Sequence, residues 1–195
     1  MEERREFCVP YSEKIEKYLK EGEYLGDGHN GIVYLLPNDK VIKIFNDSMV
    51  CKKEYYILER TAKSKNFPKT YDVGENFIVR DMVHGKRLDK YLKRNKLTKD
   101  LAYKLIDLIE EFKKLHFTRL DIRCKDIFIC ENGELMIIDP KNNYTRNVRY
   151  PRHLMKGLNK YMVLDEFLGF VRQRDKKLYK MWSCKIKKYL EKNIK

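Results

Sequence analysis

The sequence lacks the features that mark membrane, secreted and repeat proteins. No apolar run approaches the length of a membrane-spanning helix, and the first residues, Met1–Arg5, are followed by no signal-peptide core. No internal repeat or low-complexity linker interrupts the 195 residues. We therefore expect a cytoplasmic protein with no membrane partner, folded as one compact domain that is long enough to bury a core.

Cysteine and histidine are too scattered to form an obvious site. The five cysteines are odd in number and form no C-x-x-C pair, which favours reduced thiols over a disulfide framework. The four histidines show no metal-ligand spacing, so we expect no metal site built from histidine or cysteine.

Acidic residues are outnumbered by basic ones. The chain has 43 Lys and Arg residues and 29 Asp and Glu residues. The resulting net charge of +14 attracts polyanions. One interpretation is a lysine-rich solvated surface. The other is an RNA or nucleoprotein partner bound through that basic surface, although no RNA-binding module signature is visible. The basic residues are densest near the C-terminus, at Lys176, Lys177, Lys180, Lys185, Lys187, Lys188 and Lys192.

A glycine-rich run, Gly26-Asp27-Gly28-His29-Asn30-Gly31, is followed by a lysine at position 43. Glycines allow backbone N–H groups to approach phosphate oxygens closely, because no Cβ stands in the way. A dinucleotide-binding fingerprint has the same glycine spacing, but there the glycines are followed by a helix. Here the apolar run 32–36, the turn 37–39 and the run 40–45 predict a hairpin of two strands instead.

Further motifs follow in a fixed order. Glu54 lies eleven residues after Lys43 in a segment with helical spacing, and residues 77–85 predict a strand and a connection. Asp121 begins Asp-Ile-Arg-Cys-Lys-Asp, and a strand over 135–138 leads into Asp139. Thr98 is the predicted N-cap of a long helix. The predicted core positions of this and later helices are Leu101, Leu105, Leu108, Ile109, Phe112, Leu115, Leu154, Leu158, Tyr161, Met162, Leu164, Phe167, Leu168, Val171, Leu178, Trp182, Ile186, Tyr189 and Leu190.

This order of motifs, over about residues 22 to 142, resembles the protein kinase family, and within it the small atypical bacterial and RIO-type kinases. The resemblance implies an α+β, bilobal fold with a small antiparallel-sheet N-lobe and a reduced helical C-lobe. The lobes would form a single kinase-like domain over 1–195. Its parts would be an N-terminal helical extension (1–21), the N-lobe (22–83, with a hinge at about 80–84) and the C-lobe (85–195).

The resemblance also implies ATP and Mg²⁺ as cofactors and a role for each motif residue. Asp121 would orient the acceptor hydroxyl, and Arg123 would face the γ-phosphate. Glu54 would hold Lys43 by an ion pair, and Asp126 and Asp139 would bind Mg²⁺. The nucleotide would be bound by Gly26, Gly28, Gly31 and Val33 in the glycine loop, by Lys43 at the α- and β-phosphates, and by the backbone of Asp81 and Val83 at the adenine.

The sequence departs from the kinase pattern in several places. Asp126 stands where the family has an asparagine, and Pro140-Lys141 replace Phe-Gly after Asp139. Arg80 occupies the usually apolar gatekeeper position, where it either fills the back of the adenine pocket or pairs with a carboxylate such as Glu59. No Ala-Pro-Glu motif follows, and the arginine that usually precedes the catalytic aspartate is absent. We therefore expect basal activity that needs no loop phosphorylation.

Three functions remain open from the sequence. The first is a minimal serine/threonine protein kinase that transfers the ATP γ-phosphate to a protein hydroxyl. The second is a kinase-fold enzyme that phosphorylates a small molecule. The third is a nucleotide-binding, pseudokinase-like module that partners RNA or protein. Joint presence of Lys43, Glu54, Asp121 and Asp139 favours catalysis.

Overall fold

The structure, a computed structural model, describes residues 12–192, and these divide into two compact units. The first unit holds residues up to 63 together with 68–82. The second holds residues 64–67 together with those from 83 onward.

The first unit is an antiparallel five-stranded sheet with two helices, and its strand order is β1-β2-β3-β5-β4. The predicted turn before β3 is present, and Asn38 and Asp39 both have positive φ there, as a tight hairpin turn requires. The elements are α1 (Glu13–Glu21), β1 (Glu23–Gly28), β2 (Gly31–Leu36), β3 (Lys40–Phe45), α2 (Ser48–Arg60), β4 (Thr70–Val73) and β5 (Phe77–Asp81).

Helix α1 is part of the core of this unit. Ser12 caps its first turn by accepting from the Ile15 N–H, and Ile15 is completely buried against the sheet. Its neighbours in that cluster are Leu36, Ile42, Ile44, Phe77 and Val79. The rest of the predicted N-terminal helix, residues 1–11, lies outside the described residues.

The second unit combines helices with a three-stranded sheet of order β6-β7-β8. Thr98 caps the long helix by accepting from the Leu101 N–H, as predicted. The elements are β6 (Lys86–Arg87), α3 (Leu88–Tyr91), α4 (Lys99–Lys114), a 3-10 turn (Cys124–Asp126), β7 (Ile127–Ile129), β8 (Leu135–Ile137), α5 (Arg152–Lys160), α6 (Leu164–Arg174) and α7 (Lys176–Lys192).

Most of the predicted helical core positions are buried. The prediction was wrong for Tyr161 and Met162, because α5 ends at Lys160 and Met162 is 91% exposed. Leu115, Tyr189 and Leu190 are only partly buried.

The predicted α+β fold class is confirmed, with an antiparallel sheet in the first unit and a mainly helical second unit. Residues 64–67, inside the segment predicted as the N-lobe, pack with the second unit instead. The Asn66 side chain donates to the Leu135 carbonyl, and Phe67 packs against Phe112 and Phe117. This segment lies between α2 and β4, and Phe67 is its one apolar residue, so its sequence carries no local signal of which core it joins.

Candidate active site

Lys43 and Glu54 form a buried ion pair in the first unit. Lys43 lies on the central strand β3, and its Nζ is 2.8 and 3.0 Å from the two carboxylate oxygens of Glu54 on α2. The two side chains are 6% and 3% exposed. Desolvating two charges offsets much of their attraction, so such a pair adds little to stability compared with two apolar residues. Its effect is to hold a flexible ammonium in one position.

The glycine run forms the hairpin between β1 and β2, with Gly28 paired to Gly31 across the turn. A Cβ on Gly31 would lie 1.9 Å from the Ile44 carbonyl oxygen, so glycine is required there by the approach of β3. A Cβ on Gly26 or Gly28 would meet nothing within 4 Å. Packing within the described chain therefore does not explain Gly28. Val33, also predicted for the nucleotide, lies on β2 opposite Lys43 on β3.

Of the residues predicted to bind adenine, Asp81 belongs to the first unit and Val83 to the second. The Asp81 carboxylate accepts from the Lys69 N–H and the Tyr71 hydroxyl, and so supports β4 and β5. The Arg80 guanidinium is buried and donates to the Asp81 carbonyl, 3.1 Å away. The predicted alternative, a pair with Glu59, is absent from the described residues, where Glu59 accepts from the Tyr55 hydroxyl.

The second unit contains a cleft of about 270 Å³ that brings together four of the predicted site residues. Three aspartates and four basic or ionisable side chains line it, a combination that suits a ligand carrying both anionic groups and a cation. The polar lining residues are Arg119, Asp121, Arg123, Asp126, Asp139, Lys141, Asn142, Asn143 and His153.

Asp126 and Asp139 lie next to each other at paired strand ends. Asp126 precedes β7, Asp139 follows β8, and the Ile138 N–H donates to the Asp126 carbonyl at 3.0 Å. Asp139 has a φ of 52°, a conformation that non-glycine residues adopt rarely and that is concentrated at functional sites. Arg123 donates to both carboxylate oxygens of Asp126, at 2.6 and 3.0 Å. This bidentate pair was not predicted.

These carboxylates fit Mg²⁺ as hard oxygen donors. Mg²⁺ bound to phosphates needs only one or two protein carboxylates, and Asp126 and Asp139 supply two from one cleft wall. Arg123 would have to release at least one oxygen of Asp126 for the ion to bind there. Between residues 12 and 192, no group of three or more His, Cys, Asp or Glu side chains could hold a metal ion without such phosphate ligands.

Asp121 lies beneath the cleft, and its side chain is completely buried. Its Oδ1 accepts from the backbone N–H of His153 at 2.7 Å, and its Oδ2 accepts from Arg152 Nε at 3.3 Å. His153 Nδ1 lies 2.5 Å from Oδ2 without hydrogen-bond geometry. Since the N-cap position of α5 is Pro151, which has no capping side chain, Asp121 caps this helix from outside.

The segments around Asp121 are closely packed. Burial lowers the pKa of the Arg119 guanidinium, an effect that the nearby Asp121 carboxylate opposes, and Arg119 donates to the Lys141 carbonyl. Burial raises the pKa of the Cys124 thiol to about 12, so it is a neutral packing group. A Cβ on Gly157 would lie 2.4 Å from Cys124 Sγ, so glycine lets α5 approach the 3-10 turn closely.

Sequence reasoning missed Arg152 and His153. They stand 31 and 32 residues after Asp121, beyond the last recognisable motif, and no spacing rule links them to it. The uncapped Pro151 at a helix start was the one available signal that the cap comes from elsewhere in the chain.

No helix within residues 12–192 combines the length and the apolar character needed to cross a lipid bilayer. The cytoplasmic location stays a prediction.

The chain is similar to a few known proteins. It is 22% identical over 133 residues to the "Putative serine/threonine-protein kinase YrzF" of Bacillus subtilis, covering 65% of this chain and 62% of that protein. It is 30% identical over 105 residues to an uncharacterized protein of Dictyostelium discoideum, covering 54% of this chain and 11% of that protein. The chain thus spans less than two thirds of each relative. No protein-family model matches it.

Among solved structures, the PK-1 kinase of Cydia pomonella granulovirus is similar to this chain, with a TM-score of 0.48 and 20% sequence identity. The similarity covers 65% of this chain and 53% of the viral kinase. The name of the Bacillus relative agrees with the kinase-like fold that the order of motifs predicts. The RIO-type assignment stays a prediction.

Proposed function

We propose that the protein is an ATP- and Mg²⁺-dependent phosphotransferase, and specifically a minimal serine/threonine protein kinase. The observation that carries the proposal is the buried Lys43–Glu54 pair. A buried ion pair is costly to keep for stability alone, whereas phosphoryl transfer in kinases needs this lysine held by this glutamate. The relative named as a serine/threonine-protein kinase supports the choice of acceptor.

In the proposed reaction, the oxygen of an acceptor hydroxyl attacks the γ-phosphorus of ATP. A bond forms between them, the bond to the β–γ bridging oxygen breaks, and ADP leaves with that electron pair. The acceptor proton passes to the Asp121 carboxylate and then to solvent. Lys43 offsets charge on the α- and β-phosphates, and Arg123 does so at the γ-phosphate. Mg²⁺, when bound by Asp126 and Asp139, would neutralise charge on the phosphate oxygens.

Catalysis is tested with labelled ATP and Mg²⁺, by following transfer of the γ-phosphate to the protein itself and to added protein. Lys43→Met should abolish transfer, and because it leaves the Glu54 carboxylate buried without its partner, thermal melting is used to check that the variant is folded. Lys40→Met is the matched control, because Lys40 lies on the same strand but has its ammonium over the Tyr71 ring. Equal activity of wild type and Lys43→Met would rule out the assignment.

The two alternative functions, a small-molecule kinase and a pseudokinase-like module, predict different results in the same assay. A small-molecule kinase would release ADP without labelling protein, and only when the correct small hydroxyl compound is present. A pseudokinase-like module would bind ATP, seen as a rise in Tm, without turnover.

A basic face on α7 supports RNA as an additional partner. Six lysines on this helix are exposed and lie away from its buried residues Leu178, Trp182 and Ile186. Within residues 12–192, no carboxylate pairs with any of the six ammonium groups. The six are Lys176, Lys177, Lys180, Lys187, Lys188 and Lys192.

The chemistry of α7 favours RNA over a membrane surface. A helix that lies on a bilayer inserts an apolar face, but the apolar face of α7 is buried in its own unit. A lysine face without exposed aromatic side chains suits the phosphate backbone rather than the bases. The partner is therefore expected to be RNA bound without sequence preference.

RNA binding is tested by fluorescence anisotropy with a labelled single-stranded RNA at several salt concentrations. Replacing Lys176, Lys180 and Lys187 by glutamine should lower the affinity and reduce its salt dependence. The same change at Lys52, Lys53 and Lys63, which are also exposed, is the control for net charge. Equal losses in both triple variants, or preferential binding to anionic vesicles, would contradict an RNA site on α7.

A further inference from the structure

The carboxylate of Asp121 is closed off by the first turn of α5. Its side chain has no exposed surface, although it lies under the cleft that holds Asp126 and Asp139. Three contacts surround the two oxygens: the His153 N–H, the His153 ring and the Arg152 guanidinium. A general base must come within about 2.6–3.2 Å of the hydroxyl that it serves. In this arrangement no acceptor oxygen reaches Asp121.

The rest of α5 is firmly anchored, so the closure depends on its first turn. Leu154, Met155 and Leu158 are completely buried, and Gly157 packs tightly against Cys124. Arg152 and His153, by contrast, have side chains that are 36% and 34% exposed. Tyr189 of α7 braces both, through a ring contact with His153 and a cation–π contact with Arg152. Fraying of a single helical turn is a local event that leaves the core intact.

We propose that Arg152 and His153 form an inhibitory cap on Asp121, and that the first turn of α5 must release this carboxylate before an acceptor can bind. This inference rests on the proposed phosphotransfer function and adds a restraint on the same site. The cap and the acceptor compete for the same oxygens, so the active fraction of the protein is set by how often the turn opens. Weakening the cap then raises turnover in proportion to the open fraction.

The test compares turnover in wild type, Arg152→Ala, His153→Ala and the double variant, with ATP and Mg²⁺ as the only ligands. Phosphate release and labelling of the chain itself are measured. We expect the double variant to turn over about fivefold faster or more, with an unchanged KM for ATP, since it removes a charged hydrogen bond and a ring contact. Arg149→Ala is the matched control, because Arg149 is exposed and lies three residues before Arg152, outside α5.

His153→Pro separates the backbone contact from the ring. Proline is tolerated in the first helical turn, where N–H groups have no helical acceptor, and it removes the N–H that Asp121 binds. It should raise turnover above His153→Ala. Thermal melting checks that each variant folds, and hydrogen exchange over residues 150–155 checks that the cap exists. The backbone amides of this segment should be protected from exchange in the wild-type protein, and this protection should be lost in Asp121→Ala.

The outcomes separate the cap from the proposed function. If the wild-type protein turns over and the folded double variant turns over equally fast or more slowly, the cap alone is overturned. No turnover in any variant overturns the phosphotransfer proposal together with the cap, and a rise in Tm with ATP would then indicate the pseudokinase-like module. Rapid exchange of residues 150–155 in the wild-type protein would also overturn the cap.

Discussion

At the scale of single residues, the charged groups proposed for catalysis also take part in structural contacts. Glu54 holds Lys43, Arg123 holds Asp126 in a bidentate pair, and Asp121 caps a helix. Each contact fixes the position of a charge, and the contacts at Asp121 and Asp126 also occupy oxygens that a ligand would need. Mutations at these positions therefore mix effects on stability with effects on turnover, and matched variants are needed to separate them.

Asp121 allows such a separation. Asp121→Ala should lower the free energy of unfolding by about 1–3 kcal/mol, because α5 loses its cap and Arg152 loses its partner. Asp121→Asn keeps an oxygen for the His153 N–H and should be much closer to wild type. Both variants should lose turnover. Urea unfolding and the labelled-ATP assay measure the two effects, and equal stability of the two variants would contradict a capping role.

Two glycines of the β1–β2 hairpin should respond differently to alanine. Gly31→Ala should destabilise the protein by about 1–3 kcal/mol, because the new Cβ would overlap the Ile44 carbonyl. Gly28→Ala should leave stability unchanged or slightly raised, since its Cβ points into open space. If this space receives phosphate, Gly28→Ala should weaken ATP binding. Calorimetry with ATP and Mg²⁺ checks this, and unaltered affinity would remove Gly28 from the nucleotide site.

At the scale of elements, α1 is attached to the sheet by apolar packing and by two hydrogen bonds. Ile15 enters the core of the first unit, while Asp72 on β4 accepts from Lys14 and Tyr18, both at 2.7 Å. Burial by itself would raise the pKa of Asp72, but the hydrogen bonds from Lys14 and Tyr18 outweigh it and lower the pKa. The hydrogen bond between Tyr18 and Asp72 also raises the pKa of the Tyr18 hydroxyl to about 12.

This contact should make the attachment of α1 sensitive to acid. Because the folded-state pKa of Asp72 is lowered, its stabilisation is present above the unfolded-state pKa of about 4 and is lost as pH falls below it. Asp72→Asn should reduce the free energy of unfolding by about 0.5–1.5 kcal/mol at pH 7, and by less below about pH 4. Tyr18→Phe, which removes one donor, is the matched variant. A pH-independent difference would contradict an ionised Asp72.

At the scale of the whole molecule, the charge of +14 governs behaviour in solution rather than the fold. Mutual repulsion between copies opposes their association at neutral pH. As pH approaches the isoelectric point of about 9.4, lysines lose their protons and this repulsion disappears. We expect self-association, measured by light scattering, to rise towards pH 9.4 and to rise with salt at pH 7. No change with either would indicate that the charge is already neutralised by bound ions.

Much of the fold was predictable because its signals are local. The hairpin with Lys43, the helix with Glu54 and the Thr98 cap follow from strand alternation, turn residues and helical spacing. Predictions failed where a boundary mattered, as at Tyr161 and Met162. The apolar pattern continues past the residue at which the helix ends, and periodicity alone does not mark that end.

Sequence alone determined which chemical groups the candidate site contains and the order in which they occur along the chain. Tertiary structure decided what those groups contact. The burial of Asp121 under Arg152 and His153, the Arg123–Asp126 pair and the placement of residues 64–67 all depend on segments brought together by packing. Hydrogen bonds and ion pairs between distant segments require exact three-dimensional positions, and residue type and spacing along the chain do not specify those positions.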